Sequence, residues 1–397
     1  MRKPYTLYRR TRLKGKPIYY VQFYDEDGRR LPGRSSGQST KGAAEVWAIG
    51  QIKQGVIGKK TEIRFSVYAK NWYVWDTCEY LSRERSRRDY QQQYADQQRA
   101  HVVNHLIPAF GNSKLAKITT EEIEGWLLDT RRRISAATAN RALSALRIML
   151  SEAVRLGYLS KSPADFVKKL QEKPKQKGIF TNEERLELLD PKNFDLVWDS
   201  DLLHYAMNLL AAFTGMRKGE LQALLVCNLN LEYVKIEHSW DKKYKRLVPP
   251  KAGSRRIIPI PAYVYRIVYD LIEIQGARQP DSLIFTGKLP DKAIDQRAID
   301  RHYNNALAKI GITEAQRKDR NLTFHSWRHL FNSFLRGKVT DADLQRVTGH
   351  KTDQMTLHYD HQMKEALAGV RKVIDTLVPK KLLGTDGEST SLLDIKT

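Results

Sequence analysis

Six side chains in the second half of the chain have the chemistry needed to act on a phosphate diester. In chain order they are Arg217, Lys251, His325, Arg328, His350 and Tyr359. Cleaving a phosphodiester without a metal requires a nucleophile, cations for the non-bridging oxygens and an acid for the leaving oxygen. A tyrosine hydroxyl is a possible nucleophile, a guanidinium fits phosphate oxygens bidentately, and lysine or histidine can transfer a proton. The residue types therefore predict phosphoryl-transfer chemistry at these positions.

Other kinds of active site are not indicated by local motifs. The sequence contains no GxxxxGK[ST], HExxH or EF-hand pattern. Cys78 and Cys227 are its only cysteines, and there is no CxxC or Cys/His cluster, so we expect neither a disulfide framework nor a structural zinc site. The sequence predicts no metal and no cofactor.

The composition favours a polyanionic partner. The 397 residues include 68 Lys and Arg against 45 Asp and Glu, a formal net charge of +23. Such an excess attracts nucleic acid, although a ribosome-bound or membrane-surface protein could be equally basic. The apolar runs, such as residues 209–213, are far shorter than the roughly 18–20 residues of a membrane span. We expect a soluble intracellular protein of two to four domains.

The first 60 residues contain 14 Lys and Arg against 4 Asp and Glu. The predicted strands are 6–8, 17–24 and 29–31, with a hairpin signal at Asp27-Gly28. Thr40 then caps a predicted helix over residues 41–53. The segment is interpreted either as a small DNA-binding module or as a solvated basic hairpin.

Helical periodicity replaces the strand signals in residues 65–165. The predicted helices run from Ser66 to Tyr80, from Ser86 to near Pro108, from a capping box at Thr119 and Glu122, and from Ala136 to Gly157. The last helix has an apolar stripe at Leu143, Leu146, Leu150 and Val154. Cations on its other side and in the loop expected before it could follow a phosphate backbone, or could form an ordinary solvated face. They are Arg131, Arg132, Arg133, Arg141, Arg147 and Arg155.

A basic segment with Pro and Gly, residues 166–180, predicts a linker to a second, mainly helical domain at 181–378. That domain is expected to contain one small antiparallel meander of three strands, 233–237, 246–248 and 256–260. Its main helices are expected at 262–275, 292–309, 325–336, 340–347 and 364–377. Residues 379–397 predict a flexible tail.

The order of the six side chains resembles the signature of the tyrosine recombinases, the family of phage and mobile-element integrases. The family pattern is Arg, Lys, His-x-x-Arg, His and Tyr, and here Tyr359 follows His350 by nine residues, as in the family. The first arginine lies in the family's Thr-Gly-x-Arg-x-x-Glu segment, which ends at Glu220. Thr348 departs from the usual Leu before Gly-His, a change that affects packing and leaves the catalytic set intact.

The resemblance extends over about 370 residues. Residues 65–165 resemble the helical, SAM-like core-binding domain, including Pro-Ala-Phe-Gly and Ala-Asn-Arg-Ala-Leu-Ser segments, and residues 1–60 resemble an arm-type DNA-binding domain. The implied fold is multidomain and mainly α: a small β-sheet-plus-helix arm domain, the core-binding domain and an α+β catalytic domain with a small antiparallel sheet. The catalytic domain is of the type shared with type IB topoisomerases. The extra N-terminal domain favours the integrase branch over Xer-type recombinases.

The resemblance also implies a role for each site residue. Tyr359 attacks the scissile phosphate to give a 3′-phosphotyrosine, and Arg217 and Arg328 clamp the transition state. His350 donates a hydrogen bond to the phosphate, His325 assists proton transfer, and Lys251 protonates the leaving oxygen, its alternative being an ordinary surface lysine. Glu220 is expected to orient a neighbouring side chain.

A protein of this family is expected to integrate or excise a phage or mobile element without ATP or metal. The resemblance implies double-stranded DNA with core and arm sites as partner, and a homotetramer in the synaptic complex. DNA-bending and excision accessory proteins are possible further partners, and no membrane is expected. The location implied is the cytoplasm of a bacterial host, at the nucleoid. Residues 379–397 are expected to pack on a neighbouring protomer.

Three other functions compete with this interpretation. A type IB topoisomerase uses the same nucleophile, but the two N-terminal domains disfavour it. A non-catalytic DNA-binding regulator could retain the fold, but the complete set of six side chains disfavours a dead enzyme. A metal-dependent transposase would require three carboxylates, and no acidic trio stands out in the sequence.

Overall fold

The structure is a computed structural model in which the chain divides into two compact units, residues 1–173 and 174–397. The described residues are 4–10, 17–24, 30–53, 63–87, 90–172, 178–251, 254–276, 279–287, 289, 292–349 and 361–378. Of the six candidate site residues, His350 and Tyr359 lie outside these ranges. The tail 379–397, the hairpin signal Asp27-Gly28 and part of the expected linker also lie outside them.

The N-terminal module of the first unit is a three-stranded antiparallel sheet beside one helix. Its elements are β1 (Tyr5–Arg10), β2 (Ile18–Phe23), β3 (Arg34–Ser35) and α1 (Lys41–Lys53). Tyr5 pairs with Phe23, and Val21, Phe23 and Ala48 are buried together. The third strand was expected at 29–31, but it lies at 34–35, and the described residues of the earlier position form an isolated bridge between Tyr24 and Arg30.

Most of the other described residues of the first unit are helical. They are α2 (Phe65–Tyr68), α3 (Glu79–Arg85), α4 (Gln92–His101), α5 (Ile107–Phe110), α6 (Thr120–Arg133) and α7 (Ala136–Arg155), with a π-helical turn (Val102–Leu106) before α5. The single helix expected from Ser66 to Tyr80 is wrong, because Tyr73 adopts a left-handed backbone (φ 57°) and packs into the core. The helix expected to begin at Ser86 begins instead at Gln92.

The capping box expected at the start of α6 is present. The Thr119 hydroxyl accepts a hydrogen bond from the Glu122 N–H while the Glu122 carboxylate accepts one from the Thr119 N–H, which is the predicted capping box. Leu143, Leu146 and Leu150 are fully buried on α7. Residues 131–133 form the last turn of α6, so the sequence interpretation that placed them in a loop is wrong.

A buried carboxylate anchors α7 to α3. Glu152 accepts two hydrogen bonds from Arg83 at 2.8 Å each and two from Arg155 on its own helix. The hydrogen bond with Arg155 lowers the pKa of Glu152 most, burial raises it, and Arg83 lowers it further, to about 2. The charged form is therefore favoured in the folded protein.

We predict that Glu152→Gln lowers the free energy of unfolding by about 2 kcal/mol at pH 7, because it removes a charge from a site with two guanidinium partners. A depressed folded pKa contributes stability above the unfolded value of 4.5, and this contribution is lost as pH falls towards 2. The difference between wild type and variant should narrow over that range in urea titrations. Asp129→Asn is the matched control, because Asp129 and Arg133 form an exposed pair. An equal loss in both variants would contradict this prediction.

The second unit is mainly helical. Its helices are α8 (Asn182–Leu189), α9 (Phe194–Trp198), α10 (Leu202–Thr214), α11 (Lys218–Gln222), α12 (Ala262–Ile274), α13 (Gln296–Lys309), α14 (Glu314–Asp319), α15 (Ser326–Leu335), α16 (Asp341–Thr348) and α17 (His361–Asp375). The capping box expected at Thr181 and Glu184 starts α8. Within the described ranges, no helix of either unit is long and apolar enough to cross a membrane.

The strands of the second unit form two separate pairs rather than the expected three-stranded meander. They are β4 (Tyr233–Ile236), β5 (Ser239–Asp241), β6 (Arg246–Val248) and β7 (Arg256–Pro259). β4 pairs with β7 and β5 pairs with β6, both antiparallel, so the second pair is inserted within the first. The short polar strand β5, with sequence Ser-Trp-Asp, has no alternating apolar pattern, which is why sequence reasoning missed it.

Trp327 of α15 joins that helix to α10. Its side chain is fully buried, its Nε1 donates to Asn208 Oδ1 at 2.8 Å, and Asn208 Nδ2 donates to the His204 carbonyl at 2.8 Å. The Phe180 ring packs 4.5 Å from the Trp327 ring. This contact holds the start of α15 beside α10, and both helices contribute segments to the candidate site.

Candidate functional site

Arg217 lies in a tight turn between two helices. α10 ends at Thr214, Gly215 adopts a left-handed backbone (φ 60°), and Arg217 is the N-cap residue of α11. The Arg217 side chain is 28% exposed, so the guanidinium reaches the surface while its backbone is held inside. The turn thus presents one cation at the end of α10.

Glu220, one helical turn later, has a carboxylate shared by two arginines. Its side chain is 1% exposed and accepts hydrogen bonds from the Arg217 backbone N–H (2.9 Å) and guanidinium (2.8 Å). Arg256 at the start of β7 donates to both carboxylate oxygens, at 3.1 and 2.7 Å. Burial raises the pKa of Glu220, but the charges of Arg256 and Arg217 and their hydrogen bonds lower it more, to about 2. Glu220 therefore contacts Arg217 directly, and the orienting role expected for it stays a prediction.

Arg328 is a buried cation held by backbone carbonyls. Its residue is 3% exposed, and its guanidinium donates to the Gly215 carbonyl at 2.7 Å and to the Thr348 carbonyl. Burial lowers the pKa of Arg328 first, and the charges of Arg217 and Arg256 lower it further, to about 10. Arg328 remains protonated at neutral pH. The site therefore holds three positively charged guanidiniums, and the charges of Arg217 and Arg256 lower the pKa of Arg328.

His325 and His329 lie on the first turns of α15, beside a groove. His325 is exposed, and its ring centroid lies 4.8 Å from that of His329 at 88°. A groove of about 860 Å³ between α15 and α16 has described lining residues that include these two histidines, Arg328, Asn332 and Leu344. The structure therefore places His325 and Arg328 on one cavity, as a His-x-x-Arg pair on a helix requires.

Lys251 lies between β6 and β7, as expected, and is exposed. Its carbonyl accepts a hydrogen bond from the Ser254 N–H at 3.4 Å. The structure brings Arg217, Glu220 and Arg328 together, and Lys251 is connected to them through the chain that leads to Arg256. Gly349, which precedes His350, lies close to Arg256, since a Cβ at Gly349 would stand 3.2 Å from its Nη1.

The six candidate DNA-contact arginines differ in their surroundings. Residues 131–133 and Arg141 are exposed. Arg147 donates to the carbonyls of Ala164 and Val167, and Arg155 pairs with Glu152. Arg147 and Arg155 thus have partners within their own unit, as does Arg133, which pairs with Asp129. Arg131, Arg132, Arg133, Arg141 and Arg155 are all exposed and accessible to a polyanion.

Arg256 is the site residue that sequence reasoning missed. It follows Arg255 immediately before a strand, where two adjacent basic residues resemble a surface charge pair. Arg255 is exposed, whereas the Arg256 side chain is only 4% exposed. The available signal was the position of Arg256 on β7 beside the apolar run Ile257-Ile258, since a strand entering a core carries buried residues.

Asp201, His204 and His302 form a cluster with metal-ligand chemistry outside this site. The two imidazole rings stack at 3.7 Å and 6°, and their Nδ1 atoms lie 2.7 and 3.5 Å from Asp201 Oδ2. Nearly parallel, stacked rings keep their in-plane lone pairs in two separate planes, so the two imidazoles are poorly oriented to bind one tetrahedral ion. The geometry suits a shared hydrogen bond to the carboxylate, and we assign no metal to it.

Two family models match long stretches of the chain, one in each unit. The model of the phage integrase family matches residues 187–366, and that of the phage integrase central domain matches residues 77–169. Together they cover more than half of the chain. The chain belongs to the phage integrase family of tyrosine recombinases, as its six ordered side chains predicted.

Curated relatives are similar over most of their length. The integrase of Escherichia phage HK022 is 24% identical over 248 residues, which are 62% of this chain and 64% of the relative. The tyrosine recombinase XerC of Pelobacter propionicus is 23% identical over 261 residues, 62% of this chain and 75% of the relative. The chain thus spans slightly less than two thirds of the phage relative.

Solved structures share the fold. A lambda integrase tetramer bound to a Holliday junction has a TM-score of 0.57 at 17% identity, covering 91% of this chain and 99% of that chain. The Tn1549 transposon integrase with transposon right end DNA has a TM-score of 0.59 at 18% identity, covering 80% and 100%. The expected multidomain, mainly helical fold class with small antiparallel sheets is confirmed.

We predict that Gly215→Ala disorganises the turn that carries Arg217. Gly215 has a left-handed backbone, which is unfavourable for alanine, and the Cβ of an alanine there would lie 2.6 Å from Phe331 Cδ1. Gly311→Ala is the control, because Gly311 is also left-handed (φ 84°) but has no atom within 4 Å of an added Cβ. In urea titrations the control should lose about 1 kcal/mol, and Gly215→Ala more than about 2 kcal/mol. Equal losses would show that Phe331 imposes no constraint.

Proposed function

We propose that this chain is a tyrosine-type site-specific DNA recombinase, an integrase that cleaves and rejoins duplex DNA through a 3′-phosphotyrosine intermediate. The observation that carries the proposal is the site formed by Arg217 and Arg328, which two separate helix ends hold around the Gly215 turn. A pair of fixed guanidiniums is suited to the non-bridging oxygens of a scissile phosphate. The reaction integrates or excises a phage or mobile element.

The phosphoryl chemistry follows from the side chains. Tyr359 attacks the phosphorus, forms the phosphotyrosine bond and releases a 5′-hydroxyl. Because the ester bond energy is retained, the 5′-hydroxyl of a partner strand can reverse the step and no ATP is required. Arg217 and Arg328 stabilise the charge that develops on the pentavalent transition state. Their fixed orientation lowers the reorganisation needed during reaction.

Proton transfer is assigned to Lys251 and His325. Lys251, exposed between β6 and β7, protonates the leaving 5′-oxygen, and His325, exposed at the start of α15, assists proton transfer at the tyrosine. His350 donates a hydrogen bond to the phosphate. The exposure of Lys251 and His325 supports these roles, because both groups must reach a substrate that arrives from solvent.

The first unit provides DNA-binding modules in this proposal. Residues 65–165 are the core-binding domain, residues 1–60 the arm domain, residues 166–180 the linker and residues 181–378 the catalytic domain. The formal charge of +23 supports a long polyanionic partner. Exposed Arg131, Arg132, Arg133 and Arg141 are the better candidates for backbone contacts.

The assembly proposed for synapsis is a homotetramer on two duplexes, because each protomer cleaves one strand and exchange needs four cuts. The lambda integrase structure named above is a tetramer on a Holliday junction, and its shared fold supports this assembly. DNA-bending and excision proteins are proposed as accessory partners. The protein acts on the nucleoid in the cytoplasm of a bacterial host.

We predict that the wild-type protein forms a covalent adduct with a nicked suicide substrate carrying the element's own junction, in the presence of EDTA. Tyr359→Phe should abolish the adduct on denaturing gels while leaving DNA binding intact, because it removes the nucleophilic oxygen. Tyr269→Phe is the matched control, since Tyr269 is a partly exposed tyrosine on α12 away from the motif. The control should retain the adduct.

Each alternative function gives a different result in the same assay. Loss of cleavage in EDTA indicates a metal-dependent transposase. Plasmid relaxation by an adduct that needs no partner duplex indicates a type IB topoisomerase. Tight binding to a verified cognate site with no adduct indicates a regulator and contradicts the proposal.

We predict that deleting residues 1–60 removes protection of sites separate from the crossover core but retains cleavage of a suicide substrate. The reason is that the module has its own sheet and core, formed by Val21, Phe23 and Ala48. Deleting residues 379–397 is the comparison, which should retain arm-site footprints and impair synapsis. Unchanged recombination and footprints after the first deletion would exclude an arm-binding role.

A further inference from the structure

Arg256 connects three segments of the candidate site. Its guanidinium donates to both oxygens of Glu220, through Nε to the Val347 carbonyl at 2.9 Å, and to the Ser254 carbonyl at 3.2 Å. Each contact lies near one predicted catalytic group. Glu220 is three residues after Arg217, and Ser254 is three residues after Lys251. Val347 is three residues before His350, near the end of α16. One side chain therefore touches the neighbourhoods of three predicted catalytic groups.

Arg256 is less suited than Arg217 or Arg328 to contact a phosphate directly in this arrangement. Its side chain is 4% exposed, and its guanidinium donates four hydrogen bonds to protein acceptors, two of them to the Glu220 carboxylate. Arg328 is equally buried, but the two hydrogen bonds described for its guanidinium go to uncharged backbone carbonyls. An effect of Arg256 on reaction must therefore act through the groups that it contacts. The most consequential of these is the Glu220 carboxylate, because that carboxylate also bonds the more exposed arginine.

The charges in this cluster show what Arg256 contributes. With Glu220 ionised, the side chains of Arg217, Arg256 and Arg328 leave a local net charge of +2. Without Arg256, the buried carboxylate would have Arg217 as its remaining ion-pair partner among the described residues. An uncompensated buried charge is costly, so Glu220 would then hold Arg217 more tightly and neutralise it.

Arg256 also holds the end of α16 through a backbone carbonyl. Gly349 has a left-handed backbone (φ 65°), and an added Cβ would lie 3.0 Å from Ser254 Cβ and 3.2 Å from Arg256 Nη1. The bond to Val347 and this close approach fix the end of α16 against β7. The chain leaves that point towards His350, so Arg256 also determines where this segment begins.

We infer that Arg256 is a positioning residue for strand cleavage: it satisfies Glu220 so that Arg217 keeps its charge for the scissile phosphate, and it ties β7 to the end of α16. This inference rests on the proposed function. It predicts that losing Arg256 weakens transition-state stabilisation through the phosphate charge, and that removing the Glu220 charge at the same time restores part of the rate.

The test is single-turnover cleavage by the full-length protein at saturating DNA. The substrates are a suicide substrate with an ordinary scissile phosphate and one with a methylphosphonate, in which a methyl group replaces a non-bridging oxygen and removes its charge. The variants are Arg256→Gln, Arg256→Lys, Glu220→Gln and the double variant Glu220→Gln/Arg256→Gln. Arg255→Gln is the matched control, since it removes one positive charge from the exposed neighbouring residue.

On the phosphate substrate we expect Arg256→Gln to cleave about 100-fold more slowly than wild type, and Arg255→Gln to stay within about 3-fold. The double variant should recover at least about 10-fold relative to Arg256→Gln, because the neutral amide introduced by Glu220→Gln no longer sequesters Arg217. On the methylphosphonate, which needs less cationic stabilisation, the defect of Arg256→Gln relative to wild type should shrink to about 3-fold.

Thermal unfolding and DNA binding of each variant separate folding from positioning. If Arg256→Gln does not fold, Arg256→Lys serves instead, because its single ammonium cannot reproduce the bidentate contact with Glu220 and leaves that carboxylate freer to hold Arg217. Its defect must likewise be smaller on methylphosphonate than on phosphate. An equal defect on both substrates, or a double variant no faster than Arg256→Gln, overturns the inference. Absence of an adduct with wild type overturns the proposed function instead, so the two failures are distinguishable.

Discussion

Burying arginine side chains while keeping them charged is the requirement on which this site depends. A guanidinium taken out of water loses hydration worth several kcal/mol, so it needs acceptors inside the protein. For Arg328 these acceptors are carbonyls of Gly215 and Thr348, and for Arg256 they include the carbonyl of Val347. All three carbonyls belong to the C-terminal ends of α10 and α16, where helices leave carbonyls without intrahelical partners and carry partial negative charge.

Two unrelated needs are therefore met by the same bonds. The helix ends obtain donors for carbonyls that would otherwise be buried and unpaired, and Arg328 obtains acceptors that do not neutralise it as the Glu220 carboxylate neutralises Arg256. Gly215 and Gly349 terminate the two helices with left-handed backbones, and an added Cβ at either would meet neighbouring atoms within 3.0 Å. The cations are thus located by backbone geometry, which is less variable than a surface ion pair.

The sequence predicted the chemistry better than the strand arrangement. Arg217, Arg328 and His325 were identified from order and spacing, and the structure brings the two arginines and the Glu220 segment together. The caps at Thr119 and Thr181 were predictable because a capping box is local, with donor and acceptor three residues apart. His350 and Tyr359 rest on their nine-residue spacing and remain predictions.

Non-local contacts explain the misses. Arg256 meets Glu220 across 36 residues and Val347 across 91, and the only local feature that separates it from exposed Arg255 is its place beside the apolar run of β7. The helix expected to run from Ser66 is interrupted because Tyr73 is drawn into the core, a tertiary effect that overrides helical periodicity. The inserted strand β5 lacks an alternating pattern and depends on its partner β6.

The nested strand pairs also set a limit on the reach of Lys251. Ile236 and Arg256 are partners in the β4–β7 ladder, so the segment between them, residues 237–255, begins and ends at the same point of the sheet. Arg256 follows Lys251 by five positions, a tether that spans at most about 17 Å when fully extended. Whatever position the inserted hairpin takes, the Lys251 backbone stays within that distance of the strand that holds buried Arg256. The proposed general acid can therefore change position while remaining close to the fixed guanidiniums of Arg217 and Arg328.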